Sequence, residues 1–256
     1  LGEKATNAFE GTRNKVAKFI GSKHSSSIIF TKGATESINL VADSWGFSNL
    51  RKNDIVLISE MEHHSNIVPW QVITKRTGAI LEYISVKEDG TLDMESLKSK
   101  LTDKVKMLSI TQASNVLGTI NPMKEIINLA HQNNTLVMVD GCQSTPHFKV
   151  DVEDLDCDFF AFSGHKMLGP TGVGVLYGKQ DLLEKMEPYQ TGGGMIKEVT
   201  LQESTWNDVP YRFEAGSPNA SQVIGLSYAI DFINELGINE ITKHTEMISD
   251  YTFKEL

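Results

Sequence analysis

Short runs rich in β-branched and aromatic residues alternate with longer amphipathic segments, and this rhythm constrains the fold more than any other feature of the chain. Ile55–Ser59, Ile80–Val86, Val105–Thr111, Leu136–Asp140, Phe159–Ser163 and Val173–Tyr177 read as strands, with a shorter one at Ile28–Phe30. Between them, Thr35–Trp45, Asn66–Thr77, Met94–Leu101, Met123–Gln132 and Gln180–Met186 read as helices. Spacing supports this: Ile126, Ile127, Leu129 and Ala130 fall on one face of their helix. Continuous apolar strands separated by crossover helices predict an α/β fold with a mostly parallel sheet covered on both faces. From Gly192 to Pro218 the rhythm gives way to Gly-rich and aromatic-rich sequence, and Ala220–Leu236 then reads as a long apolar helix. Gly237 suits a C-cap, with Asn239 able to restart a helix. The expected division is an α/β domain over 1–237 and the start of a smaller C-terminal domain over 238–256. No internal repeat, low-complexity tract or long flexible linker is found.

Composition narrows the function classes. The 256 residues carry 24 Lys+Arg against 33 Asp+Glu, a formal net charge of −9, which gives no basic footprint for nucleic acid. No apolar run approaches the ~18 residues of a membrane span. The two cysteines, Cys142 and Cys157, exclude a disulfide scaffold and suit a reducing compartment, so a cytoplasmic location is expected. The chain starts at Leu1 without a secretion signal and stops inside a helical stretch, so both ends are expected to be cut.

In open α/β sheets, ligands sit at the carboxyl ends of the strands. Leu136–Val139 runs into Asp140-Gly141-Cys142-Gln143, and Phe159–Phe162 into Ser163-Gly164-His165-Lys166. An Asp there serves equally as a turn former, and a Lys as a solvated surface charge. The functional alternative is specific. A Lys in a dry site has a lowered pKa and forms a Schiff base. Pyridoxal phosphate needs that amine together with a carboxylate at its ring nitrogen. Such an ion pair is worth about 4 kcal/mol at an effective dielectric near 20, or roughly three pKa units. Gly33-Ala34-Thr35 opens a helix after a short strand and offers N–H groups and a dipole end for a phosphate, although Thr35 also reads as a plain helix cap.

Glu60-Met61-Glu62-His63-His64-Ser65-Asn66 follows Ile55–Ser59. Its adjacent histidines lack the HExxH order and would not share a helix face, which argues against a metal site. The functional reading is a loop histidine lying flat on an aromatic ring, and the plain one is a surface pair. His24, His131, His147 and His244 show no nameable partner and read as structural or solvent-facing. Gly169-Pro170-Thr171-Gly172-Val173-Gly174 lacks the P-loop ending and reads as a tight turn.

Five segments in collinear order resemble one family. They are Ser59–Trp70 (SEMEHHSNIVPW), Ser114–Thr119 (SNVLGT), Val139-Asp140-Gly141, Ser163-Gly164-His165-Lys166 and Arg212–Gly216 (RFEAG). The chain thereby resembles the group II cysteine desulfurases (SufS/Csd type, with selenocysteine lyases nearby) of the class V aminotransferase superfamily, over essentially its whole length. The resemblance implies the large domain of a fold type I pyridoxal 5'-phosphate enzyme, with a seven-stranded, mostly parallel sheet flanked by helices, working as a homodimer. Carried over by position, Lys166 would be the Schiff-base lysine, Asp140 the pyridinium partner and His63 the stacking residue that assists proton transfer. Gln143 would neighbour the phenolic oxygen, and Asn115 the ring and the substrate carboxylate. Thr35, Ser163 and His165 would bind phosphate beside the Ala34 N–H, and Ser217 would reach into the partner's phosphate site.

The implied reaction converts L-cysteine to alanine and an enzyme persulfide, whose sulfur passes to a relay protein for iron–sulfur cluster assembly. The family's nucleophilic Arg-x-Gly-His-His-Cys loop, its substrate-carboxylate Arg and its extreme N-terminal segment do not occur in the sequence. Cys157 reads as a core thiol, and Cys142 stands where the family usually has Ala. Residues 1–256 alone are therefore expected to hold the cofactor at best. The alternatives are a selenocysteine lyase or another class V relative, and an inert cofactor-binding or dimerisation module.

Overall fold

A computed structural model describes residues 2–256. Seven strands, β1 (Ile28–Thr31), β2 (Ile55–Ser59), β3 (Ile80–Ile84), β4 (Val105–Thr111), β5 (Leu136–Asp140), β6 (Phe159–Ser163) and β7 (Gly174–Gly178), form one sheet in the order β1-β7-β6-β5-β4-β2-β3. β2, β3, β4, β5 and β6 pair in parallel, and β7 runs antiparallel between β1 and β6. The expected mostly parallel sheet is thus present. β2, β5 and β6 are buried almost throughout because both faces are covered, as their unbroken apolar runs require. Successive residues alternate between two cores: Leu57, Val139 and Phe160 on one face, Ile58, Met138 and Ala161 on the other. The edge strand β3 is only half-buried and ends at Ile84, two residues short of the apolar run.

The helices are α1 (Gly2–Phe19), α2 (Ala34–Leu40), α3 (Val68–Thr77), α4 (Met94–Lys100), α5 (Met123–Gln132), α6 (Ala220–Leu236) and α7 (Ile238–Glu255). α2 continues through a wider π-type stretch, Val41–Gly46, to a last turn at Phe47–Asn49. Its cap is Gly33 and not Thr35, which is already inside the helix, so the plain reading of Thr35 as a cap is corrected. α7 starts at Ile238, directly after Gly237, and not at Asn239.

α1 is not legible in the sequence as a helix, being polar over most of its length. It is held by tertiary contacts around Arg13, which is 2% exposed. The Arg13 guanidinium donates to both Glu214 carboxylate oxygens at 2.7 and 2.9 Å and to the Ile28 carbonyl at 2.8 Å, and it lies 4.7 Å from the Phe30 ring centroid. Glu214 also accepts from the Phe30 N–H at 2.8 Å. One buried bidentate pair, strong for its geometry, therefore ties α1, β1 and the segment before α6 together.

His131 also departs from the expectation of no partner. Its Nε2 lies 2.8 Å from Asp158, 27 residues away in sequence, so the pairing leaves no local signal. The segment between β7 and α6 includes a two-stranded hairpin, β8 (Ile196–Val199) with β9 (Ser204–Trp206), mostly exposed and unmarked by hydrophobic alternation.

Candidate active site

The carboxyl ends of β1, β2, β4, β5 and β6 lie on one edge of the sheet, at Thr31, Ser59, Thr111, Asp140 and Ser163. Register fixes their neighbours: Thr111 stands beside Asp140, Asp140 beside Ala161, and Gly174 pairs with both Thr31 and Ser163. A cavity of about 240 Å³ opens there.

Two glycines let the chain close around it. A Cβ on Gly141 would sit 1.9 Å from the Phe160 ring, so only glycine lets the turn after Asp140 pass over that aromatic. A Cβ on Gly174 would lie 2.3 Å from the Gly33 backbone, and this close approach sets the start of α2 against the ends of β6 and β7.

The cavity is lined by Ala34, Thr35, His63, Asn115, Asp140, Gln143, Ser163, His165 and Lys166, all from the sequence-based set. Ser217 is not among them. It is exposed on the loop before α6 and lines a separate cavity with Lys32, Glu36 and Tyr189. Four further lining residues, Ser65, Thr111, Ala113 and Cys142, lie outside the set that the sequence assigns to the site.

Asp140 forms the buried floor at 3% exposure. Its Oδ1 accepts from the Cys142 N–H at 3.0 Å, so it is a turn former as well as a cavity residue. Burial pushes its carboxyl above the usual range, and the Cys142 donors, His63 and Lys166 pull the other way. Among the described residues it forms no ion pair. The site thus holds a buried acid whose charge is under-compensated and which favours an incoming cation.

His63, His165 and Lys166 are exposed around it. The last two sit on a tight turn, Gly164–Met167, closed by Leu168 in the left-handed region at φ 64°. The Lys166 side chain is exposed at the rim of the cavity. His63 caps the turn His64–Asn66. Its Nδ1 accepts from the Ser65 N–H at 3.1 Å, which leaves Nε2 to carry the proton of the neutral ring. The Ser163 hydroxyl accepts from the Ala34 N–H at 2.9 Å, so that amide is already engaged and the hydroxyl hydrogen remains to donate.

Comparison with known proteins places this arrangement. The aminotransferase class-V family model matches residues 1–256. The chain belongs to the class-V aminotransferase family. A probable cysteine desulfurase of Halalkalibacterium halodurans is 51% identical over the whole chain and 63% of its own length. The cysteine desulfurase of Thermococcus onnurineus, in its apo structure, superposes with a TM-score of 0.95 at 36% identity, over 98% of this chain and 62% of that one. The cysteine desulfurase CsdA of Escherichia coli superposes with a TM-score of 0.90 at 40% identity, over 93% of this chain and 60% of that one. The chain spans about three-fifths of the length of these relatives, and its α/β fold is theirs.

The surroundings raise both thiols of this class-V chain. Cys157 is fully buried, and burial pushes its thiol up. Cys142 is half-buried beside Asp140, and burial followed by that carboxylate's charge raises its thiol well above the ordinary value.

Proposed function

We propose that the protein is a pyridoxal-phosphate-dependent cysteine desulfurase, with Lys166, Asp140 and His63 as its catalytic residues. The carrying observation is their convergence on one cavity: a buried, under-compensated acid as floor, with an amine and an imidazole at its rim. The donor set fits the coenzyme, because an acid, an amine and an anion-binding helix start are the groups it needs. When bound, pyridoxal phosphate supplies an electron sink for bond cleavage at an amino acid.

Lys166 Nζ would hold the coenzyme covalently and, once released, move a proton at the substrate carbon. Asp140 would keep the ring nitrogen protonated, with its own charge matched in return. His63 would stack on the ring and pass a proton through Nε2, the nitrogen that Ser65 leaves free. The start of α2 at Thr35, the Ser163 hydroxyl and His165 would bind the phosphate. Gln143 and Asn115 would orient the phenolic oxygen and the substrate carboxylate.

L-cysteine is the proposed substrate. The raised thiols of Cys142 and Cys157 support assigning sulfur acceptance to another cysteine of the whole protein, from which it would pass to a relay protein for iron–sulfur cluster assembly. Ser217, exposed and away from its own chain's cavity, supports a homodimer in which it serves the partner's phosphate. The two free thiols support a cytoplasmic location, and among the described residues no helix is long and apolar enough to cross a membrane. α7 buries no residue fully, which supports a division between a coenzyme-holding unit, 1–237, and the beginning of a smaller domain, 238–256.

The test is covalent mapping. The chain is mixed with pyridoxal phosphate and reduced with borohydride, and its peptides are sequenced. The expected label is on Lys166. An unlabelled chain, or label spread over surface lysines, overturns the proposal.

A further inference from the structure

Glu62 lies next to His63 but points the other way, into the protein. It is 7% exposed, and three groups converge on its carboxylate. The Ser59 hydroxyl at the end of β2 donates to Oε1, the Asn66 side-chain amide donates to Oε2 at 2.7 Å, and the Thr111 N–H at the end of β4 donates to Oε1 at 3.0 Å. Asn66 is held in turn: its Oδ1 accepts from Trp70 Nε1 at 3.0 Å and from the Ser109 hydroxyl of β4. Residues 62 and 66 are thereby pinned to two adjacent strands. His63, His64 and Ser65 form the short arch between the pins, closed by the Asn66 N–H donating to the His63 carbonyl at 2.7 Å.

We propose that Glu62 is a positioning residue whose clamp on Ser59, Asn66 and Thr111 fixes the height and orientation of the His63 ring over the cavity. All three partners donate, and both carboxylate oxygens accept, so a Gln keeps the acceptor for Ser59 and Thr111 but turns its own amide N–H2 toward the Asn66 amide and loses that leg. An Ala leaves two side-chain donors and a backbone N–H of the strand ends without their acceptor, and the arch is then free to tilt. This role presupposes the coenzyme site proposed above, whereas its first test does not.

The test compares Glu62→Ala, Glu62→Gln and Asn66→Ala with the unaltered chain. In the cofactor-free chain, the His63 ring resonance is assigned by its loss in His63→Gln. Glu62→Ala and Asn66→Ala are expected to shift and broaden it while the His131 resonance stays in place. Glu62→Gln, which keeps the Ser59 and Thr111 legs, is expected to move it less than Glu62→Ala does. With pyridoxal phosphate added, the first two variants are expected to bind about tenfold more weakly and to lose most of the coenzyme's induced circular dichroism.

An unmoved His63 resonance in Glu62→Ala, or one that moves as far in Glu62→Gln as in Glu62→Ala, overturns the positioning role. Should Glu62→Ala fail to fold, Asn66→Ala, which leaves the Ser59 and Thr111 bonds to Glu62 in place while residue 66 gives up Glu62, Trp70 and Ser109, decides the matter by the same resonance. If the unaltered chain binds no coenzyme, the reading of the cavity fails, and the His63 resonance still decides the role of Glu62.

Discussion

Asp140 and Asp158 are both 3% exposed, and they stand at opposite ends of the same sheet, yet their surroundings differ in kind. Asp158, just before β6, accepts from the Val137 N–H at 2.7 Å, pairs with Lys179 at 3.0 Å and meets His131 Nε2 at 2.8 Å. Asp140, at the end of β5, has donors from Cys142 alone and no cation paired with it among the described residues. A buried carboxylate that is satisfied holds strands together. One left under-compensated beside a cavity costs stability and retains a charge for a ligand. The same residue type on the same scaffold is therefore saturated with partners at the amino edge of β6 and left under-compensated beside a cavity at the carboxyl edge of β5.

The largest expected effect tests the under-compensated acid. Asp140→Asn should weaken pyridoxal phosphate binding by up to about 1,000-fold, the equivalent of an ion pair near 4 kcal/mol at an effective dielectric of 20. Its stability should move the other way. Burial raises the Asp140 carboxyl, so whatever it contributes to stability is present below its unfolded value and lost as pH rises through its folded one. At neutral pH the Asn variant should equal or exceed the unaltered chain in urea unfolding. A loss of both binding and stability would make Asp140 an ordinary core acid and remove the contrast with Asp158.

Glu62 gives the next largest effect. Burial pushes its carboxyl up from 4.5 to about 7 against the pull of Ser59, Asn66 and Thr111. A raised folded value means stability that is complete below about 4.5 and lost as pH rises to about 7. Over that window Glu62→Gln should gain on the unaltered chain by up to about 3 kcal/mol, because it has no proton to lose. Parallel pH curves for the two proteins would show that Glu62 does not titrate in that range.

Asp158→Ala reverses the pattern seen at Asp140. It removes the acceptor of the Val137 N–H and one partner each of His131 and Lys179, so about 2 kcal/mol of stability should go. Borohydride labelling of Lys166 should persist at the unaltered level, because the cluster lies at the other end of β6. Lost labelling in a still-folded Asp158→Ala chain would mean that the two ends of the sheet are coupled.

How far these features are legible in the sequence depends on whether their cause is local. β2, β4, β5 and β6 have the boundaries that their apolar runs prescribe, because strands buried on both faces have no freedom in where they begin and end. The strand-end acid Asp140 and the polar run Ser163–Lys166 are readable for the same reason, since a polar residue that ends such a run must emerge at the sheet edge. Thr35 departs from its expected role as a cap because Gly33 makes the bend and leaves Thr35 inside the helix. α1 is hidden because its anchor is a pair, Arg13 with Glu214, separated by 201 residues. Glu62 is masked inside a polar run by the histidines that follow it. Its trace is the i,i+4 spacing to Asn66 together with the hydroxyl that ends β2 at Ser59.

The smallest effect is at His131, and it probes whether the Asp158 cluster is as saturated as its contacts imply. The hydrogen bond to Asp158 comes first among the causes raising the imidazole above 6.5; burial opposes it, and charge on Asp158 and Asp156 assists. A raised histidine contributes stability that is present in full below 6.5 and disappears as pH climbs through its folded value. The side chain is 26% exposed, so solvent screening keeps the contribution under about 1 kcal/mol. His131→Gln should flatten the stability curve above pH 6.5 by that amount and leave the Glu62 window at lower pH unchanged. The His131 ring in the unaltered chain should titrate above the ordinary imidazole value of 6.5, as followed by NMR. If it titrates at that ordinary value, Asp158 leaves its imidazole no more charged than water does, and the two buried acids of the sheet differ less than their contacts suggest.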